Sequence, residues 1–112
     1  MIYQMKLNES PFERIKEGTK TIEFRLYDEK RRRIKIGDKI EFSKLPNLQE
    51  KIVVQVLDIY REETFEKLFR KIYKDKEEIK RKTKSMLQYY SHEQEKKYGV
   101  VGIKIEKVIG GK

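Results

Sequence analysis

Gly18-Thr19-Lys20-Thr21-Ile22-Glu23-Phe24-Arg25 is where the chain changes from helix to strand, and its reading sets the fold class. Upstream, Ser10-Pro11-Phe12-Glu13-Arg14-Ile15-Lys16 reads as a short helix, with Ser10 as N-cap, Pro11 at the first helical position and Gly18 just past the end. From Thr21 to Arg25 the alternation predicts a strand with Ile22 and Phe24 on one face and Thr21, Glu23 and Arg25 on the other, Lys20 standing at its entrance. A Lys at the rim and a Glu and an Arg two residues apart then line one pocket. The same pattern also fits the wet face of an amphipathic strand carrying an ordinary ion pair, and pattern alone leaves both readings open.

Outward from this segment, Ile2 to Leu7 reads as a first strand and Lys30-Arg31-Arg32-Arg33 as a basic, turn-like stretch. Ile36-Gly37-Asp38 turns into an alternating strand with Ile40 and Phe42 inward and Lys39 and Glu41 outward, which Leu45-Pro46-Asn47 breaks. Ile52 to Tyr60 is the most β-branched run and apolar on both faces, as expected of a strand buried inside a barrel or covered sheet. After Thr64, an imperfect cap, Phe65, Leu68, Phe69 and Ile72 form one helical stripe that belongs in the core. Ile79, Thr83, Met86 and Leu87 suggest a second helix with a strongly positive outer side. Ser91-His92-Glu93-Gln94 has the capping-box form and opens a short helix that Gly99 closes. Val100 to Val108 is the last strand, with Val101, Ile103 and Ile105 inward and Gly102, Lys104 and Glu106 outward; Gly110-Gly111-Lys112 is expected to fray. The order of elements predicts a small α+β domain, a compact β-barrel with helices at its ends, spanning residues 1–112 as one domain.

With 112 residues the chain is long enough for one modest core. It has no cysteine and a single histidine, His92, which excludes disulfides, thiol catalysis and thiolate metal sites and removes the usual zinc ligands; no metal and no cofactor are expected. No apolar run approaches a membrane span and no secretory signal is visible, so a cytoplasmic protein, monomeric and without membrane contact, is expected. The 28 Lys and Arg against 19 Asp and Glu give a net charge of +9, which favours polyanionic partners, nucleic acid first. The excess is concentrated in Lys30 to Arg33 and in Lys74, Lys76, Lys80, Arg81, Lys82 and Lys84. Such runs either supply sequence-blind affinity through counterion release or are simply solvated faces.

Taken in order, Gly18-x-Lys20-x-x-Glu23-x-Arg25, Ile36-Gly37-Asp38, Phe65-x-x-Leu68, Tyr89-Tyr90-Ser91 and Tyr98-Gly99-Val100-Val101-Gly102-Ile103 resemble the ASCH domain over essentially the whole chain. The chain is similar to a small single-domain prokaryotic member of that family. The resemblance implies a PUA-like small β-barrel of five or six mostly antiparallel strands with short helices at its ends. It further implies a cleft beside the Lys20 strand and relatives that bind RNA or modified nucleobases. One bacterial branch of the family consists of N4-acetylcytidine amidohydrolases that use a Lys and a Thr in this segment and a later Glu. Here Lys20 matches the Lys, Glu23 stands where that branch has its Thr, and Asp75, Glu77 and Glu78 all lie in the region of the later Glu.

The Lys-Glu-Arg cluster suits recognition better than base catalysis, because a carboxylate beside Lys20 favours the ammonium. In recognition Arg25 holds a phosphate or carbonyl edge, Lys20 adds a point charge, and Glu23 accepts from an exocyclic amine. Lys20 and Glu23 become catalytic candidates only if the chain is an enzyme, Glu23 then orienting a water for attack on an amide. Arg31, Arg32 and Arg33 are further candidates for RNA contact. Tyr90 and Tyr98 are the candidate cleft-facing aromatics for base stacking, with the plugging of the barrel as the other role for Tyr98. Ser91 beside His92 reads as a helix cap, not as a nucleophile with its base. Three functions remain: an RNA- or nucleobase-binding module, an amidohydrolase acting on a modified nucleoside, and an RNA-processing nuclease.

Overall fold

A computed structural model describes residues 1–108. The predicted fraying of Gly110-Gly111-Lys112 lies outside these residues. The element order is β1 (Ile2–Leu7), α1 (Glu9–Glu17), β2 (Ile22–Leu26), α2 (Glu29–Arg32), β3 (Lys39–Lys44), β4 (Lys51–Glu62), α3 (Phe65–Ile72), α4 (Lys76–Met86), α5 (His92–Tyr98) and β5 (Val100–Lys107). The strands form one five-stranded sheet in the order β1-β3-β4-β5-β2. β1 runs parallel to β3 with Met5 opposite Phe42, and β3 runs antiparallel to β4 with Ile40 opposite Val54. The fold is therefore α+β, as the alternation of patterns predicted.

Two compact units make up the chain, and each has its own apolar interior. Among the described residues the first contains Met1–Glu23, Ile34–Ile59 and 103–108; the second contains Phe24–Arg33 and Tyr60–Gly102. In the first, Phe12 and Ile15 of α1, Ile40 and Phe42 of β3, Val54 and Val56 of β4 and Ile103 and Ile105 of β5 are all buried. In the second, Leu26, Phe65, Leu68, Phe69 and Val100 form the core, with Phe24, Tyr60, Ile72, Ile79 and Met86 packed against it. Phe24 meets Phe69 edge-on at 4.8 Å, a geometry that aromatic quadrupoles favour.

Several expectations need correction. Helix α1 starts at Glu9 with Asn8 as N-cap, not at Ser10, and Pro11 occupies its third position. The ring is tolerated there because no first-turn amide has an intrahelical acceptor in any case. The basic Lys30-Arg31-Arg32-Arg33 run is not a turn: α2 forms because the Asp28 side chain accepts from the Arg31 amide. β4 is not buried on both faces; Ile52, Val54 and Val56 face inward, but Gln55 is exposed and Leu57 is 39% exposed. β-branched content reports strand propensity and is silent on whether a second layer covers the strand. Gly102, expected outward, is buried. In β2 the deepest side chains are Glu23 and Leu26, whereas Ile22 and Phe24 are half-buried, so the expected inward face is not the deeper one.

Candidate functional site

Lys20 is fixed by the way α1 ends. Gly18 adopts φ +88°, a left-handed conformation that glycine takes without a Cβ penalty, and its amide donates to the carbonyls of Arg14 and Ile15. The amides of Thr19 and Lys20 then both donate to the Arg14 carbonyl, at 2.9 and 3.1 Å. One residue on, the Thr21 carbonyl accepts from Ile105 at 2.9 Å, which tethers the entrance of β2 to β5. The backbone of Lys20 is thus held on both sides, by a helix end and by a sheet bond.

Its ammonium lies 3.5 Å from Glu23 Oε1, and the two side chains are only 15% and 6% exposed. Withdrawing both charges from water is costly, and their mutual attraction offsets that cost only where geometry is favourable. Glu23 is therefore no member of a solvated strand face. The pair presents an ammonium donor beside a carboxylate acceptor, the complement of a planar group that carries an acceptor next to a donor.

The remaining sequence candidates belong to the second unit. Arg25 is half-buried in β2. Arg31 is held by Asp28, Nη1 to Oδ2 at 3.0 Å, with its Nε buried and without a hydrogen-bond partner among the described residues. Arg32 lies over the Tyr27 ring at 4.4 Å and donates to the Tyr98 carbonyl. Arg61, which sequence reasoning missed, lies 5.4 Å from the centre of the same ring and donates to the Tyr27 hydroxyl. Tyr27 is thereby flanked by two guanidinium groups, a cation-π arrangement. Arg33 is exposed and pairs with Glu29. Tyr90 stacks on Phe65 at 5.6 Å, and Tyr98 packs on the same core with Lys97 over its ring. Ser91 closes the predicted capping box with Gln94, so its hydroxyl has a structural task.

A second buried carboxylate was not anticipated. Glu95, 3% exposed, accepts from the Phe65 amide at 2.8 Å through Oε2, while its Oε1 lies 2.9 Å from Nδ1 of the exposed His92. Phe65 opens α3, and another of its orphan amides, that of Lys67, is taken by the Thr64 hydroxyl. Glu95 thus completes the cap of a helix thirty residues earlier in the chain. The position of Glu95 three residues before Tyr98 on the inner side of α5 was a readable hint; its distant partner was not.

Several groups on the charged surface near these elements titrate away from their ordinary range, Lys67 raised by its hydrogen bond to Glu63 among them. Hydrogen bonding by Lys71 holds the Glu62 carboxyl below its usual range, and burial, with the nearby Glu78 charge, pushes the Tyr73 phenol up. Among the described residues no three His, Asp or Glu side chains come together as a metal site. No helix among them is long and apolar enough to cross a membrane.

The chain matches the family model of the ASCH domain over residues 5–109. Two solved structures share its fold. Hypothetical protein PH0355 is 40% identical with a TM-score of 0.81, the match covering 96% of this chain and 100% of that one. Protein PF0455 from Pyrococcus furiosus is 37% identical with a TM-score of 0.72, the match covering 97% and 99% of the two chains. A search of curated proteins finds none that matches.

Proposed function

Because the chain belongs to the ASCH domain family, of PUA-like fold, we propose that it binds RNA or a nucleobase, with Lys20 and Glu23 in contact with the ligand. The observation that carries this reading is the Lys20–Glu23 pair itself, two opposite charges kept almost out of water at the start of β2. Placed side by side, an ammonium and a carboxylate discriminate a base edge that offers a carbonyl beside an exocyclic amine. The net charge of +9 adds attraction for phosphates that is indifferent to sequence. Arg25, two residues beyond Glu23 on β2, is proposed as a further RNA contact, as are the guanidinium groups of Arg31, Arg32 and Arg33.

The test is fluorescence anisotropy with short single-stranded RNAs at two salt concentrations, comparing the natural chain with Lys20→Ala, Glu23→Gln and Arg25→Ala. Affinity is expected to fall as salt rises and to drop by about tenfold in the Lys20 and Glu23 variants. Unchanged binding in both of these folded variants overturns the reading. A hydrolytic reading has one observation in its favour, the shielding of Glu23 beside an ammonium, as suits a carboxylate that orients an attacking water. Cytidine released from N4-acetylcytidine, and lost in both variants, establishes that second reading instead.

A further inference from the structure

Helices α3 and α4, both in the second unit, border a groove of about 1280 Å³ that the Lys20–Glu23 pair does not line. Its floor is apolar, formed by Tyr73, Ile79, Thr83 and Leu87. α4 contributes most of it, and although its stripe follows a helical period, none of its residues is fully buried. Ile79 and Met86 pack on the core of the unit, which leaves Thr83 and Leu87 half-covered beside the groove. The Thr83 Oγ1 atom is buried without a hydrogen-bond partner among the described residues. A helical threonine normally bonds back to its own preceding turn, so this hydroxyl is an unsatisfied group in the floor.

The rim has a definite sign. Lys76, Lys80 and Lys84 recur every four residues along α4, one row down the helix, and Lys74, just ahead of the helix, lines the same groove. None of these four has an ion-pair partner among the described residues, whereas Arg70 across the groove is neutralised by Glu66. Each lysine of the row also lies three residues before a floor residue, Lys76 before Ile79, Lys80 before Thr83 and Lys84 before Leu87. A cationic row and an apolar row therefore run side by side along about 16 Å of helix, at roughly 1.5 Å per residue.

We propose that this groove docks an acidic amphipathic helix of a partner protein, about three turns long, with its apolar stripe on the floor and its carboxylates along the lysine row. The two parallel rows are what such a helix presents, one stripe of leucine-like side chains flanked by Glu or Asp at the same spacing. Single-stranded nucleic acid fits less well. The floor is chiefly aliphatic, and the one aromatic ring in it already has the Lys82 ammonium 5.0 Å from its centre, whereas strand-binding grooves rely on open aromatic faces. This inference stands apart from the proposed RNA contact, because its residues are different ones.

The experiment uses a synthetic peptide about four turns long, leucines on one stripe and glutamates in the row beside it, titrated into the isotope-labelled full chain. Saturable binding is expected, with amide shifts concentrated between Phe65 and Gln88. Reversing the row with Lys76→Glu, Lys80→Glu and Lys84→Glu is expected to weaken binding by about tenfold or more, and a peptide with lysines for glutamates to restore it. These side chains are exposed, so folding is not at issue, and Leu87→Ser tests the floor separately. Absence of binding by the folded chain overturns the proposal, as does equal binding of a scrambled peptide. Displacement of the peptide by single-stranded RNA with no effect of Leu87→Ser makes the groove a nucleic-acid surface instead and also overturns it.

Discussion

The two units each bury one carboxylate, and the partners of those carboxylates differ in kind. Glu95 in the second unit takes the backbone amide of Phe65, so its negative charge completes a helix cap. Glu23 in the first unit faces the ammonium of Lys20. A backbone amide is fixed by the fold and cannot be exchanged for a ligand, whereas a lysine head on a four-carbon stem moves, and either member of such a pair can turn to a bound group. Burial of a charge does not by itself mark a site. The contrast is between a carboxylate oxygen committed to a helix cap, the other Glu95 oxygen meeting the exposed His92, and one that faces a side-chain ammonium.

The largest effect expected from breaking this contrast lies with Glu95. Glu95→Ala leaves the Phe65 amide buried with no acceptor and removes a charged group from the α3 N-terminus, a loss of about 2–3 kcal/mol. For a chain of this size that lowers Tm by about 10 °C. Urea unfolding measures it, and Glu95→Gln is expected to lose about half as much, since an amide oxygen still accepts but a charged acceptor binds roughly twice as strongly. A change below about 0.5 kcal/mol in the alanine variant removes the structural role assigned to Glu95.

Glu23→Gln comes next. It leaves Lys20 without its carboxylate, but the long stem carries the ammonium toward water, so the destabilisation is about 1–2 kcal/mol, less than that of removing a partner from a fully buried pair. RNA affinity is where the two residues part. Glu23→Gln is expected to weaken it by about tenfold, and Glu95→Gln to leave it unchanged. If both variants, equally folded, bind RNA equally, the functional distinction between the two carboxylates is lost.

Most of the elements were legible in the sequence because period and punctuation agree. Phe65, Leu68, Phe69 and Ile72 declare α3, Gly18 and Gly99 declare two helix ends, and the Ser91–Gln94 box opens α5 where expected. β1 and β3 likewise follow their alternation. The pattern fails where a charge is buried or a layer is missing. Hydropathy treats Glu23 as a water-facing residue, whereas its side chain is 6% exposed beside the Lys20 ammonium. The α2 helix rests on its Asp28 cap, a signal that the run of four basic residues behind it obscures. The Glu95 bond and the Arg61 contact with Tyr27 join segments thirty or more residues apart in the chain, so no local pattern contains them. For the candidate site, the residue types were readable; the burial of the pair was not.

The smallest expected effect isolates what water does to a lysine–glutamate contact, using a third carboxylate of the first unit. Glu50 takes hydrogen bonds from Lys16 and Lys44, as Glu23 faces Lys20, but Glu50 and Lys16 are well exposed. Its carboxyl is held below the ordinary 4.5 by Lys16 first and then Lys44. Lys16 is held above 10.5 by Glu50, and Lys44 by Glu13 and then Glu50. A carboxyl with a depressed folded pKa contributes stability above its unfolded value, and that contribution fades as pH falls below 4.5 through the folded value. Ammonium groups with raised values contribute fully below 10.5 and lose it as pH rises further. Glu50→Gln is therefore expected to flatten both limbs of a plot of urea-unfolding free energy against pH, its small loss of stability being largest near neutrality and fading toward both extremes. Its acid limb does not vanish, because Glu62, lowered by Lys71, fades over the same range. Added salt is expected to erase the difference between Glu50→Gln and the natural chain, since the Debye length shrinks to about 3 Å at 1 M. The Glu23→Gln difference is expected to survive more of the same salt, because a pair only 15% and 6% exposed is screened less than one at the surface. If salt erases both differences alike, the Lys20–Glu23 pair behaves as a surface contact, and the contrast between a mobile buried charge and an ordinary ion pair falls with it.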